Sequence, residues 1–84
     1  MVIACPADSG LYQVIVIPDK RLMPEFRADL ERAFMDQACA CAPVADKLSG
    51  ARRVGKLLGI VRWESFFRES AGQGWVLLGD AGQF

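Results

Sequence analysis

Apolar positions fall into three patterns along the chain. Residues 2–5 are a short apolar run, and residues 11–17 (Leu-Tyr-Gln-Val-Ile-Val-Ile) are β-branched and aromatic, which suits a pleated strand. Between them Pro6-Ala7-Asp8-Ser9-Gly10 supplies turn chemistry: proline fixes φ, aspartate and serine bond local backbone, and glycine accepts positive φ. The two runs predict an antiparallel hairpin with a loop of about five residues, ended by Pro18-Asp19-Lys20-Arg21.

A helical period follows. Phe26, Leu30, Ala33, Phe34, Ala38 and Cys41 recur at spacings of three and four. Pro24 suits a first helical turn, and Glu25 and Asp29 put negative charge where the helix dipole favours it. Arg27 with Glu31, and Arg32 with Asp36, stand at i,i+4 on the polar side. The spacing predicts one amphipathic helix over residues 24–41, stopped by Pro43, with a further helical turn at residues 44–48 broken by Ser49-Gly50.

The third pattern is less regular. Gly55 and Gly59 weaken a helix over residues 52–63, while Val54, Leu57, Leu58, Ile60 and Val61 favour a strand with bends or a bulge. Ser70-Ala71-Gly72-Gln73-Gly74 reads as a loop. Trp75-Val76-Leu77-Leu78 is apolar throughout, the pattern of a strand buried on both faces. The expected fold class is α+β: an antiparallel sheet with one main amphipathic helix, and a last strand of a different kind.

Composition narrows the function. The chain has 84 residues, ten basic and ten acidic side chains, and no histidine. Zero net charge gives no basic footprint for nucleic acid. Without imidazole there is no Ser-His triad and no His-ligated metal. No apolar run nears the roughly 20 residues that span a bilayer, and no positive residue precedes the N-terminal apolar stretch, so it is a poor signal peptide. Three cysteines, an odd number, favour a reducing, cytoplasmic setting. The apolar fraction of 52% is high for a domain this small, so some apolar segments expect partners from outside the chain.

The chemistry concentrates at the end. An apolar strand entering Gly79-Asp80-Ala81-Gly82 has the layout of a strand-to-helix turn, the place where α/β sheets bind ligands. Small residues admit a ligand to the backbone, a helix start offers N–H groups to phosphate, and a carboxylate accepts from sugar hydroxyls. Only Gln83 and Phe84 follow, which predicts that the chain is a piece of a longer one.

Residues 74–82 (Gly-Trp-Val-Leu-Leu-Gly-Asp-Ala-Gly), with Ser65-Phe66-Phe67-Arg68 upstream, resemble the second FAD-binding motif of the FAD-dependent monooxygenases. That group includes para-hydroxybenzoate hydroxylase-like enzymes and their geranylgeranyl-reductase-like and flavin-halogenase relatives. The resemblance is specific over residues 66–82 and diffuse before them. It implies that residues 1–72 are part of a substrate-binding domain and that residues 73–84 begin the segment returning to a Rossmann-like FAD domain, which the last strand joins. Asp80 would bond the ribityl chain of FAD, while Gly79, Ala81 and Gly82 would admit its pyrophosphate. Inward side chains of residues 11–17 and 54–68 would line the pocket of a small organic substrate, oxidised with NAD(P)H and O₂.

The family's amino-terminal Gly-x-Gly-x-x-Gly turn, its acidic ribose ligand and the helix after the aspartate motif are absent. The chain therefore offers one contact arm and no obvious general base, and by itself is expected to bind FAD negligibly and to turn nothing over. Its expected partners are a flavin-binding chain or a second copy met through exposed strands. The other class of reading is a stand-alone α+β module that holds a small apolar ligand or a protein without catalysis.

Several residues carry two readings. Cys39 and Cys41, about 200° apart on a helix, fit small buried hydrophobes better than a metal or redox motif. Trp63, Phe66 and Phe67 fit packing better than ligand stacking. Arg52-Arg53 fits a solvated pair better than a steering site for an anionic cofactor. Arg68 is the arginine of interest because it sits beside the motif strand, and its other reading is an ordinary strand-edge charge.

Overall fold

The computed structural model describes all residues, 1–84. Its class is α+β, as the pattern predicts, and it is made of three helices and two small antiparallel sheets. β1 (Val2–Pro6) and β2 (Tyr12–Val16) pair in the register Val2↔Val16, Ala4↔Val14 and Pro6↔Tyr12. The connecting loop is a single 3₁₀ turn in which Ser9 and Gly10 both take left-handed φ, 58° and 72°. Glycine does this without steric cost, and a serine does so only within a tight turn. Alternation places Val2, Ala4, Tyr12, Val14 and Val16 half-buried on one face, and Ile3, Cys5, Gln13 and Ile15 exposed on the other.

Asp19 then caps a 3₁₀ turn, Lys20–Leu22. Its carboxylate accepts from the Arg21 N–H at 2.9 Å and from the Arg21 guanidinium at 3.1 and 3.0 Å. The Arg21 side chain, followed by its backbone N–H, holds the Asp19 carboxyl below its ordinary value of 3.8.

The predicted single helix is two. α1 (Met23–Ala28) ends at Asp29, whose backbone is extended (φ −152°, ψ 93°), and α2 (Leu30–Cys39) begins there. Asp29 closes both ends: its N–H donates to the Glu25 carbonyl, and its Oδ1 accepts from the Arg32 N–H at 3.2 Å. An aspartate at this position satisfies an otherwise orphaned donor, and that bond offsets the interruption. Neither expected i,i+4 ion pair forms; Glu31 instead meets Arg53 at 3.6 Å. Pro43 does not stop a helix but starts one, α3 (Ala42–Leu48), in the first turn, where its missing N–H costs nothing.

The core lies where α2 meets β2 and α3. Ala33, Ala38 and Val44 are its only buried apolar residues, and all are small. The remaining buried residue is Gly82. The radius of gyration is 16.9 Å, against about 12 Å for a compact domain of this length. Residues 52–63, expected to form a bent strand, hold no strand. They run beside β2 and α2 with Leu57 alone half-buried, and they form no ladder with the free edge of either β1 or β2.

The C-terminal part is a second small unit. β3 (Ala71–Gly72) pairs antiparallel with β4 (Trp75–Val76) through a turn with Gly74 at φ 82°. The boundary expected between residues 72 and 73 therefore falls inside a hairpin. The strand expected to be buried on both faces is instead an exposed ribbon: Trp75, Val76 and Leu78 are 48%, 62% and 78% exposed, and only Leu77 is half-buried. No third strand flanks β4.

Candidate functional site

The hairpin prolongs itself beyond its ladder. Leu77 N–H donates to the Ser70 carbonyl at 2.7 Å and Arg68 N–H to Gly82 at 2.8 Å, while Phe66 and Phe84 exchange both backbone bonds at 2.7 and 2.9 Å. The two chains thus stay paired on either side of residues 79–81, which bulge out as a 3₁₀ turn. A strand-to-turn transition does occur at Gly79-Asp80-Ala81-Gly82, but the chain turns back along residues 66–70.

Each small residue of this turn has its own reason. Gly79 takes φ 58°, and nothing lies within 4 Å of the place where its Cβ would stand. The left-handed conformation favours glycine there, and space remains open beside the backbone. Gly82 has ordinary φ, but a Cβ on it would stand 2.8 Å from Ser70 Oγ and 3.5 Å from the Leu77 Cβ. Its missing side chain serves packing within the chain rather than approach by a ligand. Asp80 and Ala81 are exposed, and the Asp80 carboxylate has no hydrogen-bond or ion-pair partner in the chain.

Arg68 holds the turn. Its Nη1 donates to the Ala81 carbonyl at 3.1 Å, and its guanidinium lies 4.5 Å over the Phe66 ring. Arg68 is exposed, and these two contacts tie it to the turn beside it. Ser70 Oγ donates to the Arg68 carbonyl at 2.9 Å. The Phe84 ring stacks on Trp63 at 4.5 Å and faces Phe66 at 6.3 Å, so two of the three clustered aromatics pack within the unit. Phe67 does not, and is 85% exposed.

Of the residues expected to line a pocket, 11–16 and 54–61 come together without a strand in the second segment, and 62–68 line neither groove. The 54–61 segment, β2 and α2 enclose two adjoining grooves of about 720 and 640 Å³, which share Val14, Phe34, Lys56 and Leu57. The larger is bordered by Lys47, Arg52, Arg53 and Lys56, with Glu31 the only acid. Arg52-Arg53 is thus an exposed pair with one member bound to Glu31, at a groove mouth that the spacing of charges gave no reason to expect.

Cysteine was expected inside, and the structure corrects this. Cys5 and Cys39 are exposed, Cys41 is half-buried, and all three are free thiols. Cys39 is the last residue of α2, past the stretch whose period faces the core. No helix is long and apolar enough to cross a membrane. No family model, curated protein or solved structure matches the chain.

Proposed function

We propose that this chain supplies the substrate-side wall and one cofactor contact of an FAD-dependent monooxygenase or related flavoprotein oxidoreductase. The observation that carries the reading is the turn at residues 79–82. It projects a free carboxylate beside an open stretch of glycine backbone and is anchored from behind by Arg68.

These residues fit the group they are proposed to touch. The Asp80 carboxylate, unpartnered and exposed, is free to accept hydrogen bonds from ribityl hydroxyls. Gly79 leaves room for a pyrophosphate at the backbone, and the small Ala81 continues that surface. Gly82 supports the turn by letting Ser70 and Leu77 close on it. The trough between residues 54–61, β2 and α2 is the place for a small organic substrate. When bound, the flavin supplies electron transfer from NAD(P)H and oxygen transfer from O₂. The chain's own part is binding, orientation and exclusion of water. The three free thiols support a cytoplasmic setting.

Reading the coding sequence on both sides of this frame, together with flavin measurements, tests the proposal. A Gly-x-Gly-x-x-Gly turn is expected upstream and a glycine-rich helix downstream. This chain alone should give no micromolar FAD isotherm, and Asp80→Ala in the complete protein should weaken flavin retention about tenfold, the loss of one charge-assisted hydrogen bond. Flanking sequence without a dinucleotide turn, or full flavin retention by Asp80→Ala, ends the reading.

The exposed apolar surface at Trp75, Val76 and Leu78 favours a second reading, an α+β interaction module without catalysis. A cooperative thermal transition of a monomer identifies the module, whereas dye binding and self-association identify a chain that needs covering.

A further inference from the structure

The two grooves flanking residues 54–61 differ in character at their two ends. The chain has no net charge, yet four of its ten cationic side chains, Lys47, Arg52, Arg53 and Lys56, border the larger groove, with Glu31 as the only acid there. Glu31 is engaged by Arg53 at 3.6 Å, so Lys47, Arg52 and Lys56 are left without an ion-pair partner. The smaller groove carries Arg27 and the shared Lys56, and most of its other lining is apolar, Phe26, Leu30 and Ile60 among it. Val14, Phe34, Lys56 and Leu57 belong to both, so the two grooves adjoin, with most of the cations on the side of the larger one.

A planar aromatic acid needs one compact slot, and a polyanion needs cations along its whole length. A trough with most of its cations at one end and a mainly apolar lining at the other complements a linear molecule with the same asymmetry. We propose that this trough binds a single-chain amphiphile with an anionic head, such as a fatty acid. Its head would lie at Lys47, Arg52 and Lys56, and its alkyl tail along Phe34 and Leu57 toward Phe26 and Leu30. The groove volumes lie within the range of about 300–1,000 Å³ that holds small ligands. Clustered cations above apolar walls raise the local concentration of the anionic head, and burial of the tail supplies the affinity. The inference rests on the flavin reading only for calling this ligand a substrate.

The test is titration of the full chain, without FAD, with dodecanoate below its micelle concentration. It is followed by calorimetry and by amide shifts, with dodecyltrimethylammonium as the ligand of equal tail and opposite head. Saturable one-to-one binding of dodecanoate is expected, with the largest shifts at Val14, Phe34 and Leu57. The cationic ligand should bind at least about tenfold more weakly, and so should dodecanoate to the double variant Lys47→Glu/Arg52→Glu, as loss of several exposed ion contacts predicts. Lys20→Glu, outside the trough, should leave binding unchanged. Equal binding of the two amphiphiles, shifts centred on residues 75–78, or adsorption to anionic vesicles without a saturable dodecanoate site would each overturn the proposal. Because the comparison of ligands uses the unaltered chain, it decides the matter even where the double variant fails to fold. Because FAD is absent, a failure here leaves the flavin titration to be judged by itself.

Discussion

Replacing Arg68 with alanine tests whether the 79–81 turn is held from behind or stands by itself. The substitution removes the 3.1 Å bond from Nη1 to the Ala81 carbonyl and the guanidinium 4.5 Å above the Phe66 ring. Both contacts are exposed. A cation over an aromatic ring at an exposed site contributes about 0.5–1 kcal/mol, and a hydrogen bond in competition with water about 0.5 kcal/mol. Together they make opening of the unit easier by about 1–1.5 kcal/mol, roughly a five- to tenfold larger open population. Hydrogen exchange reads this directly. The amides of Phe66, Arg68 and Phe84 donate across the two chains of the unit at 2.7–2.9 Å, and their exchange should quicken five- to tenfold. The Ala33 amide, bonded to the Asp29 carbonyl within the helical part, should keep its rate. Arg68→Lys retains the charge but loses the planar fork, so its exchange should lie nearer to alanine than to arginine. The reasoning is refuted if Arg68→Ala leaves all three amides unchanged while Phe84→Ala, which removes the stack on Trp63, accelerates them.

Other perturbations address the remaining joints. Asp29→Ala removes the cap shared by α1 and α2 and should lower stability by about 1 kcal/mol, with loss of far-ultraviolet helical signal; an unchanged melting curve would contradict the cap. Gly79→Val forces a β-branched residue to φ 58° and should cost about 1–2 kcal/mol in the C-terminal unit, detectable in urea by the fluorescence of Trp63 and Trp75. The Asp19 carboxyl, lowered by Arg21, should titrate below 3.8 when followed by carbon-detected NMR. Its folded pKa lies below its unfolded one, so the cap's contribution is complete above about pH 4 and is lost as pH falls through the lowered value. Asp19→Asn should abolish that acid dependence, and a titration at the ordinary value would remove its basis.

The legible parts of the fold were those governed by neighbours in sequence. The hairpin followed from Val14, Ile15 and Val16 beside the Pro6–Gly10 turn chemistry, and the buried stripe of α2 followed from Ala33 and Ala38. The break at Asp29 did not, because the spacing from Phe26 to Leu30 to Ala33 continues across a one-residue interruption and apolar period is blind to it. Residues 52–63 have β-branched side chains and lie beside β2 without pairing to it; propensity describes a residue's preference and does not by itself make a ladder. At the site, the positions of Gly79 and Asp80 were legible as a turn. The grip of Arg68 on Ala81, thirteen residues away, and the packing role of Gly82 depend on the chain returning along residues 66–70, which no local pattern encodes.

The β1–β2 ribbon carries Ile3 and Ile15 opposite one another on the side away from α2, with Ile17 beyond them, all more than two-fifths exposed. Its other side already faces the helices through Val14 and Val16. An antiparallel ribbon commonly keeps one side polar, and this one carries apolar side chains on both. The outer side of this ribbon and the exposed stretch at Trp75, Val76 and Leu78 are thus two separate apolar faces of one small chain.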